Sequence, residues 1–255
     1  MSWLKLEGKT VVVTGASGGI GRALCTAFAG AGTRVVLLDR DEDRAATIAD
    51  DIGNGAIALR CDLAVPADVS AAAERVDADI LVNSAAILRP GPLETVTVED
   101  WSAMLAVNLT GYLAASKAFG RGMLARGQGA LIHIASIAGS QPQPASGAYS
   151  ASKAATIMMS RQLAYEWGPR GVRSNCISPG LVMTPMSEPF YADPKVKERR
   201  EAMVPLRRIA APADMADVAL FLASERASYV TGQDIVVDGG LSQSLMGLVP
   251  RPGYA

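Results

Sequence analysis

The chain has 255 residues, 49% of them hydrophobic and 19% charged, which is ample material for a buried core and excludes global disorder. Its 24 Lys+Arg against 25 Asp+Glu leave a net charge of −1, so no basic excess is present to neutralise a phosphate backbone, and nucleic acid is not an expected partner. One histidine argues against a histidine-built metal site, and three scattered cysteines (Cys25, Cys61 and Cys176) predict small buried thiols in a reducing compartment.

The first strong segment is the β-branched run at 10–14, the pattern of a strand buried on both faces. A glycine-rich turn and a helix of RALCTAFAGAG follow. Further strands are predicted at 34–39, 56–62, 79–83, 129–136, 172–178 and 233–238. Helices are predicted at 41–53, at 66–76 with Pro66 at its start, over one unbroken stretch at 98–127, at 147–167, and at 212–224. Residues 184–208 read as irregular and polar with helical pieces. Strands of continuous apolar residues that alternate with helices predict a doubly wound parallel α/β sheet of about seven strands, in one domain over 1–255. No apolar run approaches the roughly 18 residues that cross a bilayer, and the opening residues lack a basic stretch leading into a long apolar one. The expectation is a cytoplasmic protein with no membrane partner.

Chemistry concentrates at the ends of the strands. Thr14-Gly15-Ala16-Ser17-Gly18-Gly19-Ile20-Gly21 joins a buried strand to a helix, where glycines let a phosphate approach the free N–H groups of a helix N-terminus. Asp39 ends the second strand, placed to accept both hydroxyls of an adenosine ribose or to cap the helix that follows. Ser136 is predicted to close the fifth strand. Tyr149 and Lys153 lie four residues apart on one helix face. An ammonium about 4 Å from a phenol, at an effective dielectric near 20, is worth roughly 4 kcal/mol. That would pull the tyrosine down by about three pH units, into the range useful for proton transfer.

Taken together, these residues resemble the short-chain dehydrogenase/reductase family over nearly the whole chain. TGxxxGxG is met at 14–21, the Asn-Asn-Ala-Gly motif in part by Asn83-Ser84-Ala85-Ala86, and the family's catalytic positions by Asn108, Ser136, Tyr149 and Lys153. The resemblance implies a Rossmann-type fold and hydride transfer between a secondary alcohol and a nicotinamide cofactor. Tyr149 would move the proton, Ser136 would orient the substrate oxygen, Asn108 would support a water chain, and Lys153 would also bind the nicotinamide ribose. Cofactor contacts are implied for Gly15, Ser17, Gly18, Gly19, Ile20, Asp39, Arg40, Asp62, Leu63, Asn83, Tyr149, Lys153, Pro179, Gly180, Val182 and Thr184, with no metal. Asp39 favours NAD over NADP, against which the adjacent Arg40 acts alone.

The substrate is expected to be a small-molecule alcohol or ketone, in particular a polyol or sugar, because the loop at 140–146 is polar. That loop and a lid around Met186, Phe190 and Tyr191 are expected to line the pocket. The alternatives are a 3-oxoacyl reductase within the family and, outside it, a nucleotide-sensing protein without turnover. His133 reads as a packed strand residue, and Trp101, Trp167, Met158 and Met159 as packing residues. Small and apolar residues on more than one face of the two long helices predict a homodimer or homotetramer. The tail 241–255, with Leu245, Met246, Leu248 and Val249, is expected to strap a neighbouring subunit or to fray.

Overall fold

Valine, leucine and isoleucine fill the strand segments because each strand is covered on both faces. In the computed structural model, which describes residues 3–249, they form β1 (Thr10–Thr14), β2 (Arg34–Asp39), β3 (Ile57–Arg60), β4 (Ile80–Asn83), β5 (Gly129–Ile134), β6 (Val172–Pro179) and β7 (Asp234–Val237). All pairings are parallel, in the order β3-β2-β1-β4-β5-β6-β7. The order reverses between β1 and β4, the place where a doubly wound sheet opens a crevice at its carboxyl edge.

The helices are α1 (Gly19–Gly30), α2 (Glu42–Ile52), α3 (Pro66–Arg75), α4 (Val98–Leu105), α5 (Gly111–Arg126), α6 (Tyr149–Trp167), α7 (Pro194–Met203) and α8 (Pro212–Ala223). Alternation along the strands splits the core in two. Val11, Val13, Val35 and Leu37 pack against Leu24 and Phe28 of α1, Ile48 of α2, and Met215 and Leu222 of α8. Val12, Val36 and Leu38 face the other way, toward Val69 of α3, Tyr112 and Phe119 of α5, and Leu163 of α6. The three cysteines are free and buried, as small core residues. Among the described residues no helix is long and apolar enough to cross a membrane.

Two expected elements differ. The stretch 98–127 is not one unbroken helix, because a π turn at Ala106–Thr110 separates α4 from α5. There the Gly111 N–H reaches back five residues to the Ala106 carbonyl. The widened turn leaves the Asn108 carbonyl to a side-chain donor, the Thr156 hydroxyl, at 3.0 Å. The fifth strand stops at Ile134, so Ser136 lies beyond its end. Ser136 caps a short 3₁₀ turn, its Oγ accepting from the Ala138 N–H at 3.1 Å.

Met158 is not a packing residue in this chain, since 60% of it is exposed. Met159 and Trp167 do pack against the second core cluster. In the tail, residues 241–243 and 245–248 form short 3₁₀ turns, with Leu245 and Met246 exposed. Residues 250–255, part of the expected strap, lie outside the described residues.

Candidate active site

A cleft of about 400 Å³ opens at the carboxyl ends of β1 and β4, at the reversal point of the sheet. Its floor is the turn between β1 and α1. Gly15 has φ +64°, and a Cβ there would sit 2.5 Å from the Ala85 Cα. At Gly21 an added Cβ would meet the Gly15 carbonyl oxygen at 2.0 Å, so only glycine lets α1 start this close to the turn. The Thr14 hydroxyl braces the two crossover loops by accepting from the Ser84 and Ala85 N–H groups at 3.0 and 3.3 Å. No side chain caps α1, and no acidic residue sits in its first turn. Free N–H donors at the positive end of a helix, in a cradle that side chains would fill, suit the diphosphate of a dinucleotide.

Asp39 lines the same cleft and is buried. One of its oxygens accepts from the Ser17 N–H and hydroxyl at 2.9 and 2.8 Å, the other from the Asp41 N–H at 3.1 Å. It is not the helix cap: Asp41 caps α2, accepting from the Arg44 N–H. Arg40, Asp62 and Leu63 line the same side. Asp62 also accepts from the Ala64 N–H at 2.9 Å, which fixes the turn after β3.

Ser136, Tyr149 and Lys153 meet on the opposite wall. Lys153 is fully buried, its Nζ 2.7 Å from the Ile134 carbonyl oxygen and 5.6 Å from the centre of the Tyr149 ring. Burial lowers the Lys153 pKa to about 8. Burial also raises the Tyr149 phenol, while a hydrogen bond with Ser136 pulls it the other way. The expected net lowering of the tyrosine is therefore not found here, because burial outweighs it. The lysine donates to a backbone carbonyl, and the shared dry setting penalises the charged forms of both groups.

Of the residues expected at the site, the turn at 15–20, Asp39, Arg40, Asp62, Leu63, Ser136, Tyr149, Lys153, Pro179, Gly180, Val182 and Thr184 all line the cleft, save Ala16, for which no role was expected. Asn83 and Asn108 do not, and both are fully buried. Asn108 holds the backbone of Ile87, accepting from its N–H at 2.9 Å and donating to its carbonyl at 3.0 Å. Both of its amide groups are thereby used, and it shapes the wall without reaching the cavity. From the polar loop at 140–146 only Gln143 reaches the cleft, whereas Met186, Phe190 and Tyr191 all do. Ser84, Ala85 and Ala86 of the partial Asn-Asn-Ala-Gly motif also line it, and so do Arg44, Cys61, Ile87, Leu88 and Arg200, which were not anticipated. Ile87 and Leu88 directly follow the Asn83 motif, a usable signal. Arg200 lies in a run of mixed charge that gives none.

His133 is packed, as read from the sequence. Asn83 Nδ2 donates to its Nδ1 at 3.1 Å, and its Nε2 lies 3.2 Å from Ser174 Oγ. Burial lowers its pKa to about 3, so it stays neutral. Its unfolded-state value is near 6.5. Stability from this group is therefore present above about 6.5 and is lost as pH falls toward 3. Each pH unit in that window is worth up to about 1.4 kcal/mol. Acidification from pH 7 to 5 is expected to remove about 2 kcal/mol by this route. His133→Phe should flatten the change in urea midpoint between those two pH values, whatever it does to absolute stability. An unchanged pH slope in the variant would refute the assignment.

A family profile described as Enoyl-(Acyl carrier protein) reductase matches residues 15–242. D-threitol dehydrogenase of Mycolicibacterium smegmatis is 40% identical over 244 residues, 92% of this chain and 94% of that one. The chain belongs to the short-chain dehydrogenase/reductase family. Galactitol 2-dehydrogenase (L-tagatose-forming) of Cereibacter sphaeroides is 42% identical over 245 residues, 92% of this chain and 96% of that one. A crystal structure of a candidate NAD(P)-dependent gluconate 5-dehydrogenase from Beutenbergia cavernae, with NADP bound at low occupancy, superposes with a TM-score of 0.91 at 40% identity. That match covers 95% of this chain and all of the other. As a short-chain dehydrogenase/reductase the chain is an oxidoreductase that uses a nicotinamide dinucleotide.

Proposed function

We propose that this protein oxidises a secondary hydroxyl of a polyhydroxylated compound to a ketone, reversibly, with NAD preferred over NADP. The carrying observation is the meeting of Ser136, Tyr149 and Lys153 across one cleft from an uncapped helix N-terminus. The fit of the residues to a dinucleotide supports this reading. Gly15, Ser17, Gly18, Gly19 and Ile20 would hold the diphosphate and Asp39 the adenosine ribose. Pro179, Gly180, Val182 and Thr184 would hold the nicotinamide end. When bound, the cofactor supplies the acceptor for the hydride that leaves the carbinol carbon.

The residues do the rest. Ser136 orients the substrate hydroxyl, and Tyr149 takes its proton, so that the alcohol loses one hydride and one proton. Ser136 also stabilises the phenolate this requires, the direction in which it already acts on Tyr149. One domain carries both the cofactor and the substrate groups. The polyol class draws on the named activities of the relatives, since the polar loop that first suggested it lends only Gln143. The test is a panel of alditols, sugars, sugar acids and acetoacetyl thioesters, followed through reduced-cofactor absorbance. Turnover confined to the thioesters would overturn the polyol reading in favour of an acyl reductase. No turnover of any member would favour a binding protein.

The same reading includes a homo-oligomer in a cytoplasmic setting. Met158, Tyr165 and Leu113 are exposed on α6 and α5, at 60%, 86% and 41%, and a partner would cover them. Ala155→Glu, on α6, is expected to shift sedimentation toward the monomer by burying an unpaired charge. A native chain that sediments as a monomer at micromolar concentration would refute the assembly.

A further inference from the structure

We propose that Arg200 binds a carboxylate of the substrate, so that the enzyme prefers polyhydroxylated acids to neutral polyols. The inference rests on the reading above and narrows it.

Arg200 reaches the cleft from α7, in the segment that follows β6, together with Phe190 and Tyr191. Its guanidinium carbon lies 5.3 Å from the Phe190 ring centre and 5.2 Å from that of Tyr191. Both rings, together with a hydrogen bond to the Tyr191 hydroxyl, hold the planar cation in place, and its remaining N–H groups are the binding surface. A side chain already ordered by its own chain gives up less entropy when it binds a ligand.

The charge around it is unbalanced. Among the described residues no carboxylate lies within 4.0 Å of its guanidinium, whereas the neighbouring Lys197 pairs with Glu201 at 3.9 Å. The positions one turn away on its own helix face are Val196, Lys197 and Met203, with no acid among them. Only Asp39 and Asp62 are acidic among the described residues that line the cleft, and they sit at the ends of β2 and β3. Ser136 follows β5. From β2 to β5 is three strand spacings, about 14 Å, so both carboxylates lie well away from Ser136 and the hydroxyl it would orient. Lys153, which also lines the cleft, already donates to the Ile134 carbonyl. What the arrangement lacks is an anion, and a guanidinium edge accepts a carboxylate through two parallel hydrogen bonds. The diphosphate of the cofactor is the other anion that could enter this cleft, and the test separates the two.

The experiment compares matched pairs, D-gluconate with D-glucitol and D-threonate with D-threitol, in the native enzyme, Arg200→Met and Arg200→Lys. The native enzyme is expected to favour the acid of each pair at least tenfold in kcat/KM. In Arg200→Met that acid-to-alditol ratio should fall about a hundredfold, mainly through the KM of the acid, and Arg200→Lys should restore part of it. Cofactor dissociation constants, measured by quenching of tryptophan fluorescence, should stay within twofold. A native preference for the alditol overturns the proposal. So does an equal loss on both members of a pair, which would make Arg200 a structural part of the lid. A weakened cofactor with an unchanged ratio would assign the guanidinium to the diphosphate instead. If neither acids nor alditols are oxidised by the native enzyme, the broader reading fails and this one with it.

Discussion

Tyr149→Phe is expected to lower kcat/KM by about a thousandfold, roughly 4 kcal/mol of transition-state stabilisation. Only the hydroxyl is removed, so the ring keeps its place beside Lys153, and cofactor affinity and folding stability should barely move. Lys153→Met makes a sharp contrast. The native lysine is fully buried with its pKa lowered to about 8, so at pH 7 the fold carries a desolvated charge. The unfolded value is near 10.4. That burden is fully present below about pH 8 and fades as pH rises toward 10.4. Its size at pH 7 is about 3 kcal/mol, part of which the bond to the Ile134 carbonyl already offsets. Lys153→Met should therefore lose activity yet unfold at equal or higher urea concentration at neutral pH, with the gain shrinking above pH 8. Near-normal turnover by Tyr149→Phe would sink the proton-transfer role. A strongly destabilised Lys153→Met would show that the lysine is a structural asset.

Asp39→Asn carries the second large effect. In the native protein NAD is expected to bind about a hundredfold more tightly than NADP, because a 2′-phosphate would meet the Asp39 carboxylate at close range. The carboxylate cannot turn away. Three hydrogen bonds, two from Ser17 and one from the Asp41 N–H, hold it in one orientation. In the variant the amide oxygen can still accept from Ser17, so the turn survives while the charge goes. Arg40 and Arg44, both exposed at the cleft, are then free to attract the phosphate, and the preference should narrow to within about tenfold or reverse. Titration calorimetry with each dinucleotide reads this without turnover. Tighter native binding of NADP would show that the two arginines already outweigh the carboxylate.

Features that depend on short-range pattern were legible in the sequence. The glycine turn, the acid ending β2 and the Tyr-Lys pair at helical spacing each need only a few neighbouring residues to be recognised. The π turn at Ala106–Thr110 was hidden, because one extra residue in a turn barely disturbs a long helical period. Its purpose lies elsewhere in the chain, where the Thr156 hydroxyl and the Ile87 backbone wait for Asn108. The raised tyrosine and lowered lysine were also hidden, since desolvation comes from elements distant in sequence. Charge counting at 4 Å saw the attraction between the two groups and missed the dry setting around them. Arg200 escaped notice because a guanidinium among lysines and glutamates reads as a solvated surface until its aromatic neighbours are placed.

The brace from Thr14 to Ser84 spans 70 residues and has a bearing on how the chain is made. β1, β2 and β3 are adjacent in both sequence and sheet, so they can pair soon after they leave the ribosome. The other edge of β1 is completed only by β4. At roughly 5–20 residues per second, the ribosome takes about 4–14 s to add that stretch. During that interval a hydrophobic strand, valine on both faces, has an open edge of the kind that pairs with other chains. Slowed translation between residues 14 and 84 should therefore lower the soluble yield, while the same delay placed after β4 should matter less.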